Sequence, residues 1–106
     1  MAVAPLTKAV LVSEEFRKLD PEMPAQMALA LLSIAHKPGL GQREAMKLIG
    51  VSKSAISRVF SRLSDLPDGL GTIRMQESPI DRRNKVATLT PAGQRIVSSI
   101  ERIVGG

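Results

Sequence analysis

Between Gln42 and Thr90, two short amphipathic patterns meet at Gly50-Val51-Ser52 and give way to two β-prone runs. These are joined by the basic tip Pro79-Ile80-Asp81-Arg82-Arg83-Asn84-Lys85. No other stretch limits the possible folds so strongly. Gly50 can take the left-handed conformation that ends one helix, Val51 can plug the corner, and Ser52 is a good N-cap for the next helix. The pattern predicts a helix-turn-helix over about 42–65 and a hairpin over about 70–90, with Leu66-Pro67-Asp68-Gly69 as the turn between them. A helix-turn-helix followed by a cationic hairpin is a way of placing a helix in a DNA major groove and holding the flanking backbone.

The second helix of the pair, about 52–65, divides cleanly. Ile56, Val59, Phe60 and Leu63 share one face, while Lys53, Ser54, Ser57, Arg58, Ser61 and Arg62 share the other, with no acid until Asp65. Its partner, about 42–49, is expected to turn Ala45, Leu48 and Ile49 inward. Upstream, apolar positions at Leu6, Val10, Leu11 and Phe16 predict a helix over about 6–19, with Thr7 as a possible N-cap. Asp20-Pro21-Glu22-Met23-Pro24 breaks it. A second helix over about 24–36 is apolar nearly all round and is expected to be the most buried element. Leu40 is a candidate for a token strand. Thr90 and Pro91 open a last helix, about 91–104, whose stripe is Ile96, Val97, Ile100, Ile103 and Val104.

Composition narrows the partners. A chain of 106 residues, 43% hydrophobic, builds one domain (1–106) with one core. A net charge of +5 and a pI near 10.3 favour a polyanion. A membrane partner is not expected, because the longest apolar run, Met27 to Ala35, is far below the roughly 20 residues that span a bilayer, and no face is both apolar and lysine-rich. Met1 to Leu6 lacks the charged lead of a secretion signal, so a cytoplasmic location is the default expectation. The absence of cysteine excludes disulfides and thiolate chemistry.

The order helix, helix, helix-turn-helix, hairpin, helix resembles the MarR family of winged-helix transcriptional regulators. The matching residues are Pro24-Ala25-Gln26, Pro38-Gly39-Leu40-Gly41-Gln42-Arg43-Glu44 and Gly50-Val51-Ser52-Lys53-Ser54-Ala55-Ile56-Ser57-Arg58, in that order. Most specific is Asp81-Arg82-Arg83-Asn84-Lys85-Val86-Ala87-Thr88-Leu89-Thr90-Pro91-Ala92-Gly93, which is similar to the family's wing and its entry into the last helix. The expected fold is mainly α with a small β-hairpin (α+β), a winged helix-turn-helix whose terminal helices pack as dimerisation elements. Leu6, Val10 and Phe16 at one end and Ile96, Val97, Ile100, Ile103 and Val104 at the other are the expected dimer contacts.

Sequence and resemblance agree on where DNA would be held. Ser52 and Ser54 can donate to phosphates at the helix N-terminus, and Lys53, Ser54, Ser57 and Arg58 are placed to reach base edges, with Arg62 further along the same face. In the wing, 78–85, Arg83 or Arg82 is expected in the minor groove or on phosphates, with Asn84 and Lys85 beside them. Gln42 and Arg43 could hold backbone phosphate. The resemblance further implies that Asp81 orients the wing by fixing an arginine in a hydrogen-bonded ion pair.

Other chemistry is thinly represented. His36 sits at a helix end, where capping is the simplest role, and Glu14, Glu15, Asp20 and Glu22 have no partner base, so neither an enzyme, a metal site nor a cofactor is expected. Met23, Met27, Met46 and Met75 could line an effector pocket but read first as core filler, and no effector is indicated. The leading expectation is a sequence-specific, homodimeric regulator that represses by occupying a palindromic double-stranded operator. An accessory or architectural DNA-binding role in replication, partition or recombination is one alternative. A winged-helix module for an acidic protein or RNA is another. With only Phe16 and Phe60 as aromatics, single-stranded nucleic acid lacks its usual stacking platforms.

Overall fold

Two prolines and two hydroxyl caps decide where most helices start. The computed structural model describes residues 4–106; Met1 to Val3, part of the stretch read against a secretion signal, lie outside the described residues. Pro5 occupies the first turn of α1 (Pro5–Leu19), so the helix begins two residues before Thr7, and the expected threonine cap lies inside it. The capping position falls to Ala4, whose side chain bonds nothing. α2 (Ala25–His36) starts after Pro24 and follows the Asp20 turn, where the Asp20 carboxylate accepts the Glu22 amide at 2.9 Å.

β1 (Leu40–Gly41) leads directly into α3 (Gln42–Ile49), which ends at Gly50 with φ 78°, a left-handed conformation that glycine adopts without strain. Ser52 caps α4 (Lys53–Leu63) by accepting the Ala55 amide at 3.1 Å. The hairpin is β2 (Ile73–Glu77) and β3 (Lys85–Leu89), and α5 (Pro91–Gly105) is capped by Thr90, whose hydroxyl accepts the Gly93 amide at 3.1 Å. The three antiparallel strands run β1-β3-β2, with Leu40 opposite Ala87 and Met75 opposite Ala87 on the other side.

α4 ends at Leu63, short of the expected Asp65, because the chain turns extended at Ser64 to bridge Ile73. The helix's last carbonyls find partners there: Thr72 donates both its amide (2.8 Å) and its hydroxyl (2.7 Å) to the Leu63 oxygen. α5 is seated equally closely, since a Cβ on Gly93 would lie 2.1 Å from the Thr72 carbonyl oxygen.

The core joins Phe16, Met27, Ala30, Leu31, Ile34, Leu40, Ala45, Ile56, Val59, Phe60, Leu63, Ile73, Ala87 and Ile100 in one cluster. Met23, Met46 and Met75 pack against it, so the methionines serve as core filler. Two inward expectations fail. Leu48 is 65% exposed, because the inward arc of so short a helix is Gln42, Ala45, Met46 and Ile49, and Leu48 lies outside it. Leu29 faces solvent on α2, which therefore has an exposed edge after all.

The terminal helices also depart from expectation. Phe16, Val97 and Ile100, expected at a dimer face, are buried within this single chain, and Ile96 packs against the same core. α1 lies on α5 in the same chain, and the Lys8 ammonium reaches the Val104 carbonyl at 3.1 Å. Leu6, Val10 and Val104 remain exposed, and Ile103 is half-buried. Burying the inner residues satisfies the monomer's own core first.

Candidate nucleic-acid interface

α4 owes its placement to its apolar side. Ile56, Val59, Phe60 and Leu63 are buried to 4% exposure or less, which fixes the helix's rotation about its axis and turns Lys53, Ser54, Ser57 and Arg58 outward. All four are exposed, and among the described residues neither Lys53 nor Arg58 is in an ion pair. The Ser54 hydroxyl lies 3.3 Å from that of Ser52, which is itself committed to the cap. The result is an exposed helix face carrying two cations in no ion pair among the described residues, beside the hydroxyls of Ser57 and of Ser54, the latter shared with Ser52.

Arg62 does not share that freedom. It was expected on the interface, yet it donates to the Asp68 carbonyl at 2.9 Å and lies 3.9 Å from the Asp20 carboxylate. One turn beyond Arg58, Arg62 reaches the α1–α2 turn and the loop entering β2, so it braces the scaffold.

The wing tip is held differently, by polar contacts. The Ser78 amide donates to the Asn84 carbonyl at 2.9 Å and the Asn84 amide to the Asp81 carbonyl at 3.0 Å, closing the turn. Asp81 carries the largest share of the fixing. One carboxylate oxygen accepts the Arg83 amide at 3.0 Å, and the other lies 2.6 Å from the guanidinium of Arg43. The Arg83 amide and then the Arg43 guanidinium hold its carboxyl below the usual carboxylate range.

The arginine that Asp81 fixes is Arg43, at the start of α3 and outside the wing. The Arg43 amide also donates to the Asn84 side-chain oxygen at 3.4 Å. Asn84 packs so closely on Gly41 that a Cβ there would lie 2.7 Å from its amide nitrogen. Arg43, expected on phosphate, and Asn84, expected on DNA, therefore join the wing to the helix-turn-helix. Gln42 turns inward, its amide 3.9 Å from the Met75 sulfur, and Lys85 lies 3.6 Å from Glu77, its partner in the last strand pair before the tip. Arg82 and Arg83 stay exposed with no ion pair among the described residues.

Between these parts lies a cleft of about 290 Å³ lined by Gln42, Arg43, Met46, Lys53, Arg83 and Asn84. It links the start of α4 to the wing across a basic surface. Among the described residues no three histidine, aspartate or glutamate side chains converge on a metal site, and no helix is long and apolar enough to cross a membrane.

This arrangement, three helices closed by a three-stranded sheet with the hairpin beside the second helix of the turn, is a winged helix-turn-helix of α+β class. It is the MarR-type form of that fold. A mutant MarR from E. coli, solved in complex with operator DNA, superposes with a TM-score of 0.70 at 26% identity, covering 94% of this chain and 67% of that one. The S. aureus MepR–DNA complex gives 0.73 at 19% identity, over 93% and 74% of the two chains. The PcaV transcriptional regulator from Streptomyces coelicolor, solved with its natural ligand, gives 0.65 at 23% identity over 99% and 79%. The chain spans 75%, 65% and 63% of the lengths of three further structures, a MarR, a MarR regulator from Methanosarcina mazei and a protein from Mycobacterium tuberculosis. No family model and no curated protein matches the sequence.

Proposed function

We propose that this chain is a sequence-specific double-stranded DNA-binding transcriptional regulator that represses by occupying a promoter. The observation that carries the proposal is the exposed face of α4, Lys53, Ser54, Ser57 and Arg58, whose two cations are in no ion pair among the described residues, together with Arg82 and Arg83 on a wing locked to the same scaffold. Two regulators with the same fold were solved on DNA, MarR from E. coli and MepR from S. aureus. Arginine presents the bidentate donors that match guanine in the major groove, and an exposed wing arginine suits a narrow minor groove, where negative potential concentrates.

The acting species in this reading is a two-fold dimer. Leu6, Val10 and Val104, together with Leu11, leave an apolar strip at the α1–α5 end, with Leu6 79% exposed. Pairing through that strip sets two recognition helices ~34–36 Å apart, one turn of DNA, and calls for a palindromic operator.

Selection of bound duplexes from a random pool tests binding, symmetry and half-site spacing together. A palindromic consensus, with affinity falling steeply as salt releases roughly 6–10 phosphate counterions, supports the reading. A pool that yields no consensus, or binding indifferent to salt, overturns it. Footprinting then decides the repressor role by whether the site overlaps a promoter. Sedimentation tests the dimer, and a chain that stays monomeric at high micromolar concentration with and without duplex sinks it.

A further inference from the structure

The wing tip exposes more than cations. Of the residues between the Ser78 and Asn84 closure, Asp81 turns inward to Arg43, while Pro79, Ile80, Arg82 and Arg83 are all exposed. Ile80 is 96% exposed, more than any other large apolar side chain among the described residues. The turn holds it there. The Ser78 hydroxyl accepts the Ile80 amide at 3.2 Å and the Asp81 amide at 3.4 Å, and Asp81 is anchored in turn to Arg83 and Arg43. A collapsed tip would fold the isoleucine back on the hairpin; this one projects it beside two free guanidinium groups.

We propose that Ile80, backed by Pro79, is an apolar wedge that the wing presses into the DNA minor groove, contacting sugar walls and parting a base step. The inference rests on the DNA-binding reading above and adds a readout that the arginines cannot supply. Proteins that bind the minor groove pair cations, which track its potential, with isoleucine, leucine or proline wedges that unstack a step. Both halves of that pairing are present on this tip within five residues, 79–83. A wedge favours flexible pyrimidine–purine steps, so it gives the wing a preference of its own that does not depend on hydrogen bonds to bases. Protein partners would also cover an isoleucine, but the adjacent arginines and the tip's continuity with the basic cleft favour a polyanion.

The test uses the full chain and a duplex recovered by selection, with 2-aminopurine placed at successive positions under the wing. Wild-type protein is expected to raise the emission at one step, where the base loses its stacking. Ile80→Asn should bind about tenfold more weakly and abolish the rise, with the slope of affinity against salt unchanged, since no charge is altered. Ile80→Leu should keep both. Because Ile80 is almost wholly exposed, neither change disturbs the fold. A wild-type complex that shows no emission change, or an Ile80→Asn variant equal to wild type in affinity and emission, overturns the wedge and leaves the DNA-binding reading standing. Failure of the wild type to bind any duplex removes that reading itself.

Discussion

The outer face of α4 and the tip of the wing present similar chemistry by opposite means. On α4, Lys53 and Arg58 stand free because the backbone beneath them is already fixed by four buried side chains on the other face. A helix satisfies its own backbone, so nothing polar need be spent to aim its side chains. The wing tip has no such interior. Its cations are aimed by Ser78, Asp81 and Asn84, and through them by Arg43, a residue 38 positions earlier than Asp81. Packing suffices to aim a helix, whereas a hairpin tip needs polar partners and consumes one cation to free two.

The largest effect that could break this contrast is on stability. Phe60→Ala removes the biggest fully buried side chain under α4 and should lower unfolding free energy by ~3–5 kcal/mol in denaturant titrations. A loss below ~1 kcal/mol would mean that core packing does not aim the helix. Next, Arg58→Ala should weaken binding to the selected site by ~1–3 kcal/mol and relax preference at one base pair. An equal loss on random duplex would reassign Arg58 to phosphate.

Asp81→Asn should give a smaller loss even though it makes the protein more positive, because the tip loses its anchor. Arg43→Gln should match it, and the double variant should be no worse than either single change, since one pair is being broken. Additive losses would make Arg43 an independent DNA contact and return it to the role expected from the sequence. Arg62→Ala should leave affinity for the selected duplex unchanged and cost at most ~1 kcal/mol of stability, as a surface brace does. A marked affinity loss would place Arg62 back on the interface.

The smallest effect is a pH dependence that should be absent where DNA binding is measured. The Asp81 carboxyl is depressed by the Arg83 amide and Arg43, so the latch it makes is fully present above the ordinary carboxylate range near ~4 and is lost only as pH falls through the lowered value. Amide signals of Arg83 and Asn84 should stay constant between about pH 5 and 8. A transition in that window would show that another group holds the tip.

Much of this molecule was determined locally and could be read from the chain. Gly50 and Ser52 set the helix-turn-helix, the period of Ile56, Val59, Phe60 and Leu63 set which face of α4 is outward, and Thr90-Pro91 set the start of α5. Each is a matter of caps and spacing within one turn or two. What tertiary structure alone decided involves residues distant in sequence or at the margin of a helical face. Asp81 pairs with Arg43, Arg62 braces Asp20 and Asp68, and Leu48 falls outside the arc that its short helix buries. Phe16, Val97 and Ile100 show the same limit, because periodicity marks a stripe as apolar without saying whether the chain's own core or a second chain will cover it. That choice depends on how much of the stripe α1 and α5 bury against each other, a quantity fixed only when the helices meet.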